Sequence, residues 1–203
     1  MSPAKIGAWI ESADLVVAAD SGFLRVLEAG YLPDVVVGDF DSVSTDLIGD
    51  DVEVIVDLGQ DDTDCAKLLR YVKDCGHESV TLICAEGDLT DHFLDTIHSA
   101  IRTELNVTIG LERGHAHILD GPVLASYPIE VGRRTSMLPL ETIENASMAG
   151  VEWPFERQTL SVRGFTSISN RATQASLSVA FDKGVAYLFI EADTPFWSEK
   201  GEP

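Results

Sequence analysis

The sequence predicts an α/β N-terminal domain with a mostly parallel sheet, followed by a small all-β sandwich or barrel domain. Three observations carry this. Through Leu111, short continuous apolar runs alternate with segments whose apolar residues recur at helical spacing, the pattern of parallel strands covered on both faces. From about Gly114 helical periodicity disappears, and short β-type runs are separated by Gly, Pro, Ser and Asn. A chain of 203 residues, 45% of them hydrophobic, is large enough to bury a sizeable core. The expected domains are 1–114 and 115–203.

Met1-Ser2-Pro3 reads as a helix start. Leu15 to Ala19 forms the first strand and ends at Asp20. A helix with Phe23, Leu24, Val26 and Leu27 follows, stopped by Gly30. Val35 to Val37 is the second strand, ending at Gly38-Asp39, and Val52 to Val56 is the third. Cys65, Leu68, Leu69 and Val72 fall at i, i+3, i+4 and i+7, one face of a helix that Gly76 closes. Val80 to Cys84 is the fourth strand, Asp91 to Leu105 the next helix and Val107 to Leu111 the fifth strand. In the β domain, strands are expected at Val123–Tyr127, Thr159–Val162, Ala175–Phe181 and Val185–Ile190. Asp182-Lys183-Gly184 reads as a hairpin turn between the last two.

Charge narrows the function. Asp and Glu number 34 against 14 Lys and Arg, a net charge of −20. Such a chain is repelled by a phosphate backbone and by anionic lipid, so neither nucleic acid nor a membrane surface is expected as partner. Cys65, Cys75 and Cys84 show no CxxC spacing and fit a reducing, cytoplasmic setting, where they act as small hydrophobes. The first twenty residues carry Lys5, Glu11 and Asp14 and do not read as a signal peptide. His98, His115 and His117 lack spaced partners and are expected at the surface.

The acids gather where strands end. Asp20 closes the first strand, and Asp39 and Asp41 follow the second. Asp61, Asp62 and Asp64 precede the long helix, and Asp88 and Asp91 follow the fourth strand. The carboxyl ends of strands in an α/β sheet line one edge, where ligands bind. Converging carboxylates destabilise one another unless a cation neutralises them. Hard oxygen donors select Mg²⁺, which shares its shell with substrate phosphates. Helix capping explains one acid per helix, but not Asp39 together with Asp41. If the chain stays extended there, with Phe40 turned into the core, Asp39 and Asp41 reach the same side. A strand followed by Asp39-Phe40-Asp41-Ser42-Val43 also fits a haloacid-dehalogenase-like phosphatase with Asp39 as nucleophile.

These segments resemble the thiamine pyrophosphokinase family. Ala19-Asp20-Ser21-Gly22 is similar to its A-D-G-G. Leu32-Pro33-Asp34 with Gly38-Asp39-Phe40-Asp41-Ser42 resembles P-D…G-D-F-D-S. Gln60-Asp61-Asp62-Thr63-Asp64 with Lys67 and Leu69 resembles D-Q-D-x-T-D…K-x-L, and Gly87 with Asp91-His92 the end of G-G-R-x-D-H. In the β domain, Ser169-Asn170 resembles the S-N of a segment forming the thiamine pocket. The resemblance implies transfer of pyrophosphate from ATP to the hydroxyl of thiamine, giving thiamine diphosphate and AMP. It implies Mg²⁺ held by Asp39, Asp41 and Asp64, with Asp91 joining them as a catalytic residue. Asp20, Gln60, Asp61, Thr63 and Lys67 would bind ATP, and Ser169, Asn170 and Trp153 thiamine, in a homodimer.

The sequence departs from the family at several places. Ser21 replaces a glycine, and Phe23 a small residue where a helix should approach a ligand. Leu89 replaces the arginine of G-G-R-x-D-H, and Asp88 its preceding glycine. An arginine supplies charge and forked donors that leucine lacks. Arg25, Lys67 and Arg70 are the nearest replacements in sequence. These departures leave open a diphosphotransferase acting on another alcohol and a non-catalytic homologue that only binds ligand.

Overall fold

The computed structural model describes residues 1–40, 47–59, 61–87 and 89–193. Contacts divide the chain into two compact units, Met1–Leu105 and Asn106–Pro203. Among the described residues, no helix is long and apolar enough to cross a membrane.

In the first unit, α1 (Pro3–Ile10) begins with Pro3 at a first-turn position, where its missing N–H has no helical partner to lose. Strands β1 (Val17–Ala19), β2 (Val35–Gly38) and β3 (Glu53–Val56) form a parallel sheet in that order. α2 (Gly22–Glu28) connects the first two. β2 is buried at every position, as expected for a parallel strand with both faces covered. α3 (Asp64–Asp74) packs on β1 and β2 through Leu68, Leu69 and Val72. β4 (Ser79–Leu82) and α4 (Thr90–Arg102) complete the unit. A core of Ala18, Phe23, Val26, Val36 and Val52 sits against the sheet. Phe23 is fully buried there, so its bulk fills the core.

The second unit is a sandwich of antiparallel sheets. Its strands are β5 (Asn106–Leu111), β6 (Gly114–Asp120), β7 (Val123–Pro128), β8 (Arg134–Pro139), β9 (Ile143–Ala149), β10 (Phe155–Leu160), β11 (Ser167–Arg171), β12 (Ser176–Phe181) and β13 (Val185–Glu191). One sheet runs β10-β9-β12-β7; in the other β11, β8, β13, β6 and β5 are successive neighbours. Their inner faces share one core, to which Met137, Ala186, Leu188 and Ile190 contribute from the second sheet and Ile143, Met148, Leu177, Val179 and Phe181 from the first.

Three expectations are corrected. The mostly parallel sheet holds for β1, β2 and β3 alone: the fifth strand, expected to extend it, pairs antiparallel with β6, Leu111 opposite Gly114. Only Glu112 and Arg113 join the two, and so short a link permits only antiparallel pairing. Nor is Asp182-Lys183-Gly184 a hairpin. β12 pairs with β7 and β9, whereas β13 pairs with β6 and β8, so the segment carries the chain from one sheet to the other. Gly184 makes that corner at φ 102°, where a Cβ would lie 2.2 Å from the Thr142 carbonyl oxygen. Finally, His115 and His117 are buried, at 2% and 9% exposure. Gly114 through His117 are all buried, so both faces of β6 are covered at this end.

Candidate functional site

The parallel register sets the acidic edge of the first unit. Ala19 lies opposite Val37 and Gly38 opposite Val56, so the residues leaving the three strands, Asp20, Asp39 and Asp57, emerge along one edge. Asp20 is 1% exposed. It lies so close to β2 that a Cβ on Gly38 would come 2.8 Å from the Asp20 Cβ. Gly38 is therefore a packing requirement of the site. Asp39 is half-buried, and Phe40 takes φ 59° while packing against the core. The extended alternation expected to align Asp39 with Asp41 is broken at Phe40. Asp41 itself, like Gln60 and Asp88, lies outside the described residues.

Asp57 was not among the expected site residues, although it follows a strand as Asp20 and Asp39 do. Its Oδ1 accepts the Gly59 N–H at 3.0 Å, and its Oδ2 accepts Arg70 Nη2 at 2.9 Å. The Gly59 backbone N–H, helped by the Arg70 guanidinium, holds its carboxyl below the usual carboxylate range. Arg70 also donates to Asp62 at 2.7 Å, tying the end of β3 to the approach to α3.

Thr63 caps α3, its hydroxyl accepting the Ala66 N–H at 3.4 Å. The same hydroxyl donates to Asp95 of α4 at 2.9 Å. Asp64 occupies the first turn of α3, favourable against the helix dipole. Its Oδ1 lies 3.5 Å from Nζ of Lys67, which is only 3% exposed. Asp61 is exposed, and so is Asp91 in the first turn of α4. Leu89 stands at the N-cap of α4, 57% exposed and without a capping side chain. Of the cations that could replace an arginine there, Arg25 pairs with Glu28 and Arg70 is bound by Asp57 and Asp62. Lys67 is buried beside Asp64. Among the described residues, no three His, Cys, Asp or Glu side chains form a metal-binding group.

In the second unit, the structure joins Trp153, Ser169 and Asn170. Asn170 is 2% exposed, and its amide grips the main chain of Trp153: Oδ1 accepts the Trp153 N–H at 3.1 Å and Nδ2 donates to the Trp153 carbonyl at 2.8 Å. Trp153 itself is 58% exposed. Ser169 lies at a register shift between β11 and β8, with φ 57°. Its N–H donates to Ser136 Oγ at 2.9 Å, and its Oγ accepts Arg134 Nη1 at 3.4 Å. Arg134, which sequence reasoning missed, stacks 4.9 Å from the Phe189 ring. Asn170→Ala strands the Trp153 amide groups and is expected to cost about 2 kcal/mol in urea unfolding; an unchanged midpoint would refute this role.

Residues 6–110 match the catalytic domain of thiamin pyrophosphokinase, and residues 127–186 match its vitamin B1 binding domain. This chain belongs to the thiamin pyrophosphokinase family. It is 22% identical over 189 residues to thiamine pyrophosphokinase of Bacillus subtilis strain 168, covering 88% of each chain. The crystal structure of thiamine pyrophosphokinase from Bacillus subtilis superimposes with a TM-score of 0.80 at 21% identity, over 92% of both chains. Thiamin pyrophosphokinase from Candida albicans gives 0.73 at 16% identity, over 89% of this chain and 83% of that one. Asp20, Asp39, Asp57 and Asp64 fall within the catalytic-domain match; Trp153, Ser169 and Asn170 fall within the vitamin B1 binding match. Neither match supports the phosphatase reading.

Proposed function

We propose that this chain transfers the pyrophosphoryl group of ATP to the hydroxyl of thiamine, releasing thiamine diphosphate and AMP. The observation that carries it is the succession of both family domains in one chain, with the acidic strand edge in the first. In the reaction the thiamine hydroxyl oxygen bonds to the β-phosphorus and gives up its proton to solvent, as the bond from that phosphorus to the α-phosphate bridge breaks and AMP leaves. Catalysis of this kind is chiefly positioning and charge stabilisation.

Mg²⁺ fits the donor chemistry, since it is a hard cation that shares its oxygen shell between carboxylates and substrate phosphates. Asp39, Asp41 and Asp64 would hold it, and when bound it neutralises phosphate charge. Gln60, Asp61, Thr63 and Lys67 place the nucleotide. Lys67 offsets part of the negative charge that Asp64 brings near the phosphates. Asp20 forms the closed inner wall of the edge, and Asp91 lies at the opening of α4. Ser169, Asn170 and Trp153 receive thiamine, with Asn170 holding the tryptophan in place. A cytoplasmic homodimer is the working assembly.

The test is incubation with Mg-ATP and thiamine, following AMP and thiamine diphosphate together. Equal amounts of both are expected, and Asp39→Asn is expected to lower the rate at least about a hundredfold with an unchanged melting curve. AMP formed only with a different alcohol would overturn the acceptor assignment. A fully active Asp39→Asn variant would overturn the role of that carboxylate.

A further inference from the structure

Asp95 belongs to none of the sequence segments that point to the site, yet it is bonded to one of them. It accepts the Thr63 hydroxyl at 2.9 Å through Oδ2, while its Oδ1 lies 3.5 Å from Arg102 Nη2. Arg102 is in turn anchored to Ser99 Oγ at 3.1 Å. A threonine hydroxyl has a single proton. Here that proton is committed to Asp95, which directs the oxygen's lone pairs toward the Ala66 N–H. Asp95 therefore sets the rotamer of the α3 cap. It also ties the N-cap of α3 to the second turn of α4: Asp64 directly follows Thr63, and Asp91 lies one turn before Asp95 on the same face of α4. A second tie, Lys73 Nζ to Glu104 Oε2 at 2.9 Å, joins the last turn of α3 to the segment just after α4. The two ties differ in one respect: only the first lies beside the acidic edge.

We propose that Asp95 is a positioning residue that, through the Thr63 hydroxyl, aligns the N-termini of α3 and α4 and so holds Asp64 and Asp91 in register for the nucleotide phosphates. This rests on the reading of the first unit as the ATP-binding half of the reaction. Misplacement of binding groups by a fraction of an ångström is costly for a reaction that depends on orientation.

The experiment compares wild type with Asp95→Ala, Asp95→Asn, Glu104→Ala, Thr63→Val and the Thr63→Val/Asp95→Ala pair. It measures the Mg-ATP dissociation constant by calorimetry, KM for ATP against kcat, and the melting temperature. Asp95→Ala is expected to weaken ATP binding and raise its KM about tenfold, with kcat changed less than about threefold. Asp95→Asn, whose amide oxygen still accepts the hydroxyl, is expected to return to within about threefold of wild type. Glu104→Ala removes the exposed tie between the end of α3 and the segment after α4 and is expected to leave ATP binding unchanged. The double variant is expected to be no worse than Thr63→Val alone. Equal weakening by Asp95→Ala and Glu104→Ala, additive effects of Thr63→Val and Asp95→Ala, or unchanged binding in Asp95→Ala would overturn the proposal. A wild-type chain that binds ATP but makes no thiamine diphosphate refutes the acceptor, while the binding measurements still decide Asp95. One that binds no nucleotide overturns both.

Discussion

A single methyl group at Gly38 is expected to lower stability by about 3 kcal/mol and to cut thiamine diphosphate formation at least about a hundredfold. The new Cβ would stand 2.8 Å from the Asp20 Cβ and 3.5 Å from its Cα and backbone nitrogen. None of these atoms lies at the end of a flexible side chain, so relief requires β1 and β2 to separate. Both strands carry the acidic edge, and their separation displaces Asp20 and Asp39 together. Urea unfolding of Gly38→Ala, with the rate measured on the folded fraction, gives both numbers. A variant with wild-type midpoint and rate would show that the edge does not depend on this approach.

Acid is the second strong perturbation, and it acts on the other unit. Burial holds His115 down at about 4 and His117 at about 3, the latter also opposed by its neighbour. The two rings lie 5.1 Å apart, His117 lies 4.7 Å from the Tyr127 ring, and its Nδ1 is 3.1 Å from the Thr108 hydroxyl. Unfolding returns both groups toward the ordinary value of 6.5. Between that value and about 4 the unfolded chain binds more protons than the folded one, so stability falls as pH falls. The slope approaches 1.4 kcal/mol per pH unit for each histidine, or roughly 2–4 kcal/mol between pH 6.5 and 5 for the pair. Urea denaturation followed by circular dichroism at pH 7 and pH 5 measures the loss, and the double variant His115→Leu/His117→Leu is expected to flatten it. Equal wild-type midpoints at the two pH values would contradict the buried neutral pair.

Much of the first unit was legible because its signals are local. The i, i+3, i+4, i+7 spacing of Cys65, Leu68, Leu69 and Val72 marks α3, and the Val35–Val37 run marks a strand buried on both faces. Acids after strands mark one edge, since parallel strands bring their carboxyl ends together whatever lies between them. Pairing partners were not legible in the same way. The apolar run of β5 fits a parallel or an antiparallel neighbour equally well, and the two-residue link to β6 decided it. Gly184 has the composition of a hairpin turn, but its corner is fixed by the Thr142 carbonyl, which only the fold brings near.

Sequence alone determined the family, the order of acids after the strands and the net charge of −20, because residue order carries these directly. Tertiary structure decided what each polar group does once in place. Two histidines expected at the surface became a buried neutral pair, and Asn170 turned out to clamp the Trp153 backbone. Asp95, outside every motif, came to hold Thr63 across 32 residues. Burial and hydrogen-bond partnership are properties of neighbours distant in sequence, and the energies of desolvation and directed hydrogen bonds exist only after those neighbours have met.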